Sequence, residues 1–356
     1  MTVMEILKAA VERETSDIIL SAGAPVTFHV HGSLEPFEEG SVLTADEAES
    51  LTYEFLNSEQ RKTFEQEREL DAAYHVPELA RFRVSVYLQK GTVASVLRLI
   101  PLDIPHYTEI GLPDRTLMQM VNNPGGLMLI TGPTGAGKST TIASYIEYLN
   151  AIHGIPKHVI TIEDPIEFMF KNKTCLIDQR EVGSDTHSYP RGLRSALRQM
   201  PHVIFVGEMR DRETIEVALT AAETGNVVIS TLSTQSAAKS INRIIDIFPV
   251  EHQAEIRTRL ALTLKVVVSQ VLLRRQDTPG RVCARETMFV NSPISNLIRE
   301  GKVHQIDNAV ATHHAEGMGL LDDSLLELYE QGIVGYADVV TRMQDLQKLK
   351  HLKKRK

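Results

Sequence analysis

The eight residues Gly132-Pro133-Thr134-Gly135-Ala136-Gly137-Lys138-Ser139 constrain this chain more than any other feature, because they fit GxxxxGK[ST] in the setting that motif requires. An apolar, strand-like run (LMLIT) precedes them and a helical pattern (STTIASYIEYL) follows. Glycines let such a loop curl so that backbone N–H groups face phosphate oxygens, and the start of the following helix adds partial positive charge. Lys138 would reach the β- and γ-phosphates, the Ser139 hydroxyl would ligate Mg²⁺, and Thr140 completes the ATP-binding stretch. A chance glycine-rich turn is the alternative, and the flanking strand and helix weigh against it. The expected cofactors are therefore ATP and Mg²⁺.

Hydrolysis needs carboxylates as well, one to act on water and one near the metal. HVITIEDPIEF places Glu163 and Asp164 at the end of a strand-like run, with Pro165 turning the chain away. VIFVGEMRD places Glu208 after another. Ligands of open α/β sheets bind beyond the carboxyl ends of the strands, so both acids can converge on the phosphate loop. Each acid could instead cap the next helix, a common place for carboxylates. Their joint occurrence downstream of a phosphate loop favours the working role.

The rhythm of the chain predicts two domains. In residues 1–100 strand-like runs cluster rather than alternate with helices, which predicts an α+β domain. Helical spacing covers Met4 to Glu14, DIILSAG and PVTFHVHG read as short strands, and Thr44 with Glu47 opens one helix running to Arg68. ELDAAYHV, ARFRVSVYLQ and TVASVLRLI read as three further strands. Residues 101–114, rich in proline, form the expected linker. From 115 to 356 strands alternate with helices. GGLMLITG, HVITIE, VIFVGE and NVVISTL are near-continuous apolar runs, as a parallel sheet covered on both faces requires, so the expected fold class is α/β. From about Ser292 the pattern is mostly helical.

Bulk properties weigh against several classes. A formal net charge of -8 and 5% aromatic residues speak against a nucleic-acid translocase, and no nucleic-acid partner is expected. Cys175 and Cys283 are far apart, which excludes a disulfide framework and fits a reducing compartment. No stretch is long and apolar enough to span a membrane, and the N-terminus lacks a signal-peptide core. A cytoplasmic location is expected. The histidines lack ligand spacing, so no metal beyond Mg²⁺ is expected. Six Lys or Arg in residues 348–356 form a basic tail that could touch anionic lipid, although a solvated end is the simpler reading.

Taken in order, GPTGAGKST, TIEDPIEF, VGEMRD and STLSTQSAA resemble the secretion ATPase superfamily, and within it the PilT-type retraction ATPases of type IV pili. The resemblance covers nearly the whole chain, including ARFRVS, LRLIP, RIIDIFP and PISNLIREGK. It implies a PAS-like N-terminal domain, a RecA-like ATPase domain, a homohexameric ring and ATP bound between domains. It also implies an inner-membrane pilus platform protein and a paralogous motor as partners, with peripheral association at the inner face of the cytoplasmic membrane. By the same resemblance Glu163 stands where the catalytic base stands, and Glu208 is the acid near Mg²⁺. Arg81, Arg83 and Arg98 match arginines that approach the nucleotide, a task suited to a guanidinium fork. Each could equally be a solvated strand-face charge.

Three positions depart from the family's pattern. Ser233 stands where STLHTxSA has histidine, Arg198-Gln199-Met200-Pro201-His202 replaces RQDPD, and Pro293 and Ser295 alter AIRNLIRE. The expected function is an ATP-driven motor for pilus retraction. Its alternatives are a pilus assembly or type II secretion ATPase, an accessory non-motor ATP-binding subunit, and a nucleic-acid translocase.

Overall fold

The computed structural model describes residues 2–13, 15–30, 33–37, 41–77, 79–100, 103–345 and 348. Glu14, His31, Gly32, the first two residues of the expected linker and the basic tail after Lys348 lie outside the described residues. The chain divides into two units, Met1–Asp103 with Pro165–Met169, and Ile104–Asp164 with Phe170–Lys356.

In the first unit Thr2 and Glu5 close a capping box that starts α1 (Val3–Glu12), whose apolar stripe Val3, Ile6, Leu7 and Ala10 is buried. Strands β1 (Asp17–Ser21), β2 (Thr27–Val30) and β3 (Ser33–Pro36) follow, then α2 (Ala45–Tyr53) and α3 (Ser58–Glu67). Strands β4 (Glu69–Val76), β5 (Ala80–Gln89) and β6 (Thr92–Ile100) complete an antiparallel sheet of order β3-β2-β1-β6-β5-β4. Alternation along β5 and β6 sends Phe82, Val84, Val86 and Leu97 into the core. The single helix expected from Thr44 to Arg68 is two helices. Asn57 accepts from the amides of Glu59 and Gln60 and opens a second capping box, while Phe55 and Leu56 turn inward before it. Strand β3 escaped the sequence pattern because all four of its residues are exposed and nothing alternates.

The second unit begins with α4 (Asp114–Val121) and β7 (Gly126–Thr131), followed by α5 (Lys138–Ala151). Next come β8 (His158–Glu163), β9 (Leu176–Glu181), α6 (Tyr189–Ala196), β10 (Val203–Val206) and α7 (Arg212–Glu223). Then follow β11 (Val227–Leu232), α8 (Ala237–Asp246), α9 (Val250–Thr263) and the antiparallel pair β12 (Leu264–Arg274) and β13 (Arg281–Phe289). Helices α10 (Ser292–Arg299), α11 (Ile306–Thr312), α12 (Leu321–Glu330) and α13 (Tyr336–Val340) end the described chain. The sheet order is β13-β12-β7-β11-β10-β8-β9, parallel from β12 to β9. Every residue of β7, β10 and β11 is buried, as strands covered on both faces must be. Parallel pairing brings the carboxyl ends of β7, β11, β10 and β8 side by side along one edge.

Candidate functional site

The phosphate loop leaves β7 at that edge and enters α5. Gly132, Gly135 and Gly137 hold φ of +146°, +77° and +82°, which only glycine adopts without strain. A Cβ at Gly132 would also stand 2.2 Å from the Gln270 carbonyl oxygen, so the loop passes too close to β12 for any side chain there. Lys138 Nζ donates to the carbonyls of Gly132 (2.8 Å) and Pro133 (3.2 Å), which holds the ammonium across the mouth of the loop. Ser139 and Thr140 follow, half-buried, in the first turn of α5.

Strand β12 braces the loop from outside the motif. Gln270 is 3% exposed; its Nε2 donates to the Ala136 carbonyl at 2.7 Å, and its Oε1 accepts from Thr141 Oγ1 at 3.0 Å. One amide therefore ties the loop to the start of its helix. The hydroxyls of Thr131 and Ser269 pair at 2.7 Å just below. Beside the start of α5, Thr140, Thr141, Thr108, Arg285 and Asp323 line a cavity of about 830 Å³, a size suited to a nucleotide. Arg285 shapes one wall by donating to the carbonyls of Ile110 (2.7 Å) and Gly111 (2.8 Å), and burial lowers its pKa.

The next loops along the edge carry the acids. Strands lie about 4.8 Å apart, so β10 stands about 10 Å and β8 about 14 Å from β7. Glu208 follows β10 with both carboxylate oxygens engaged. Ser233, just past β11, donates to Oε1 at 3.1 Å, and Arg210 donates to Oε2 from Nε (2.7 Å) and Nη2 (2.6 Å). Thr231 donates to the Gly207 carbonyl at 2.6 Å, which fixes the backbone one residue before the acid. Glu163, 6% exposed at the end of β8, accepts from Thr161 Oγ1 at 2.6 Å and from Gln179 Nε2 at 3.3 Å. Beside Gly207 lies Tyr189, whose hydroxyl sits where a Cβ on that glycine would be 2.8 Å away. Burial and the nearby carboxylate of Asp164 push its phenol up, with smaller contributions from Glu163 and Glu208. The structure thus brings Ser233 and Glu208 together, and sets Glu163 one strand further along the edge.

Arg81, Arg83 and Arg98 belong to the first unit, on the sheet face opposite its core. Arg83 stands directly across from Arg98 in register, and Arg81 lies two residues along the same strand. Arg83 pairs with Asp71 at 3.3 Å, and Arg98 Nε donates to Asp17 Oδ1 at 2.8 Å while remaining 68% exposed. Burial opposes ionisation of Asp17, but hydrogen bonds from Arg98, Ser16 and His29 together hold its carboxyl below the usual range.

Sequence reasoning missed Gln270, Thr231 and Tyr189. Their parts arise from register between strands distant in the chain, for which no local motif exists. The acid-rich edge and the hydroxyl of Ser139 are hard oxygen donors of the kind Mg²⁺ takes, and the curled glycine loop is a cradle for phosphate, so the residues present fit both groups.

Comparison with known proteins places these features in context. The family model described as type II/IV secretion system protein matches residues 1–322. The chain is 43% identical over 339 residues to the type IV pilus retractation ATPase PilT of Pseudomonas aeruginosa, covering 94% of this chain and 96% of that one. It is 40% identical over 333 residues to a twitching motility protein of Neisseria gonorrhoeae, covering 94% and 88%. Among solved structures it matches the pilus retraction motor PilT with bound ADP at a TM-score of 0.90 and 41% identity, covering 99% of this chain and 100% of that one. Among the described residues no helix is long and apolar enough to cross a membrane.

Proposed function

The chain belongs to the type II/IV secretion system protein family and within it to the pilus retraction ATPases, and from that premise we propose that it is a Mg²⁺-dependent motor. It hydrolyses ATP to drive pilus disassembly, and so twitching motility. The observation that carries this reading is the shared sheet edge, where the phosphate loop, Ser233, Glu208 and Glu163 follow neighbouring parallel strands. ATP brings the phosphoanhydride bond to be broken, and Mg²⁺, when bound, would neutralise charge on its phosphates. The backbone of Gly132–Ser139 and Lys138 bind the phosphates. Ser139 and Glu208 hold the metal, with Ser233 and Arg210 orienting the carboxylate of Glu208. Glu163, buried at the end of β8, takes the proton of the attacking water. Arg81, Arg83 and Arg98 supply positive charge for the transferring phosphoryl group, drawn from a different unit of the chain.

Such a division of labour suits a ring of six copies in which neighbours complete each other's sites. Its partners are an inner-membrane platform protein and a paralogous motor, at the inner face of the cytoplasmic membrane. An accessory, non-hydrolysing subunit is favoured by one observation, the serine at position 233; the presence of both Glu163 and Glu208 outweighs it.

Turnover per subunit should rise with protein concentration through the range where sizing shows assembly. Arg98→Ala mixed into the parental protein should lower activity by more than dilution does, and added DNA should change nothing. Flat specific activity across the assembly range, or stimulation by DNA, would overturn the proposal.

A further inference from the structure

Glu286 lies on β13, outside the phosphate site, and is 3% exposed. Its Oε1 accepts the amide of Ala237, the first residue of α8, at 2.6 Å. The amide of Leu321, the first residue of α12, donates to the same carboxylate. Helix α12 has no side-chain cap of its own, and the cap of α8, Ser236, accepts from Lys239 instead. Two helix N-termini, each carrying partial positive charge and unpaired amides, thus converge on one buried side chain.

Both helices lead to the reaction edge. Helix α8 continues directly from Ser233–Ser236, whose first residue donates to Glu208. Beside Leu321, Asp322 accepts from the amides of Gln344 (2.9 Å) and Asp345 (2.8 Å), which fastens the end of the described chain to the same point. Gln235, Leu321, Arg342 and Gln344 then share a cavity of about 330 Å³ with the phosphate-loop residues Pro133–Ala136.

Building on the reading of this edge as an ATP-hydrolysing site, we propose that Glu286 is a positioning residue for that reaction. Its carboxylate holds the Ser233–Ser236 segment, and through it Glu208, in register with the C-terminal helices that begin at Leu321. The charged groups facing it are Asp307 of α11 and Asp322 of α12, with Lys239 of α8 acting on Asp307. Burial, far more than the two acids, raises the pKa of Glu286 to about 7 against the pull of the two amides. Ionised, the carboxylate serves both amides. Protonated, it turns one oxygen into a donor, loses its charge and holds the amides more weakly.

The test is Glu286→Gln, which keeps the size of the side chain but removes the charge both amides face and leaves one acceptor oxygen in place of two. Losing a charge-assisted bond of this kind should lower kcat about tenfold or more, with KM for ATP little changed. The parental kcat should fall as pH drops through about 7, and that inflection should vanish in the variant. Parental kcat and an unchanged pH profile would reduce Glu286 to a helix cap and overturn the proposal. Should Glu286→Gln fail to fold, Ala237→Pro removes the amide and keeps the carboxylate. Proline suits the first position of a helix, and Ser236 before it is already extended at φ -153°, ψ 162°. That variant should show the same loss of kcat, and parental kcat would count against the tie. Amide exchange separates this inference from the ATPase reading. With or without hydrolysis, Glu286→Gln should speed exchange in residues 233–240 and 318–325 together, and acceleration of one segment alone would overturn the coupling.

Discussion

Replacing Gln270 with alanine should damage the phosphate loop without touching a residue of the motif. The side chain is buried, and its two hydrogen bonds, to the Ala136 carbonyl at 2.7 Å and from Thr141 at 3.0 Å, span the loop and the first turn of α5. Each bond contributes roughly 0.5–1.5 kcal/mol, and leaving the Ala136 carbonyl and the Thr141 hydroxyl buried without partners adds to the loss, giving about 2–4 kcal/mol. In a domain of this size that corresponds to a fall in melting temperature of roughly 5–15 °C. A loosened cradle should also weaken ADP by about tenfold, since some of the binding energy must then reorder the loop. Differential scanning calorimetry and titration with a fluorescent ADP analogue measure the two effects. Thr141→Val supplies the control: because Thr141 and Gln270 share a bond, the double variant should lose about 1 kcal/mol less than the sum of the singles. Additive losses, or a Gln270→Ala protein that melts within about 1 °C of the parent and binds ADP equally well, would refute the brace.

Two further outcomes concern Ser233 and Glu286. Ser233→His should raise turnover by up to about tenfold, because an imidazole is longer than the serine side chain and adds a donor for phosphate or water; a folded, assembled variant with parental turnover would mean the site is packed around serine. The pH dependence of stability should carry the mark of Glu286, whose pKa of about 7 in the folded chain lies above its ordinary 4.5. The folded state holds that proton more tightly, so the group's contribution is full below about pH 4.5 and is lost as pH rises through about 7. Glu286→Gln should therefore gain on the parent as pH rises from 5 to 8, by on the order of 3 kcal/mol at most, read from melting temperatures; a constant difference across that range would contradict the assigned burial.

The phosphate loop, the four apolar strands around it and the two acids at strand ends were legible because each is local. A motif, a run of β-branched residues or a turn residue can be read in one window. Three other parts were not. Gln270 matters only because β12 pairs with β7 in a register that sets its amide against Ala136, and Thr231 only because β11 lies beside β10. Tyr189 sits at the start of a helix and looks like any aromatic there until Gly207 leaves room for its hydroxyl. Strand β9, LIDQRE, is a partly exposed edge strand without the apolar run that marked its neighbours. The break between α2 and α3 is different. Asn57 and Gln60 have capping-box spacing, so that signal was present, and the charged run from Glu59 to Arg68 masked it.

The roles proposed for Glu163 and Glu208 require both acids to act on nucleotide held by the phosphate loop. Single-turnover hydrolysis of radiolabelled ATP by purified, assembled protein with Mg²⁺ tests this most directly, for the parent, Glu163→Gln, Glu208→Gln and Lys138→Ala. The parent should turn over, and both glutamine variants should retain ATP unhydrolysed, slowed by about 100-fold or more as for loss of a general base or a metal-holding carboxylate. Lys138→Ala should fail to retain nucleotide. Hydrolysis near the parental rate in either Glu163→Gln or Glu208→Gln would contradict the assignment of that acid.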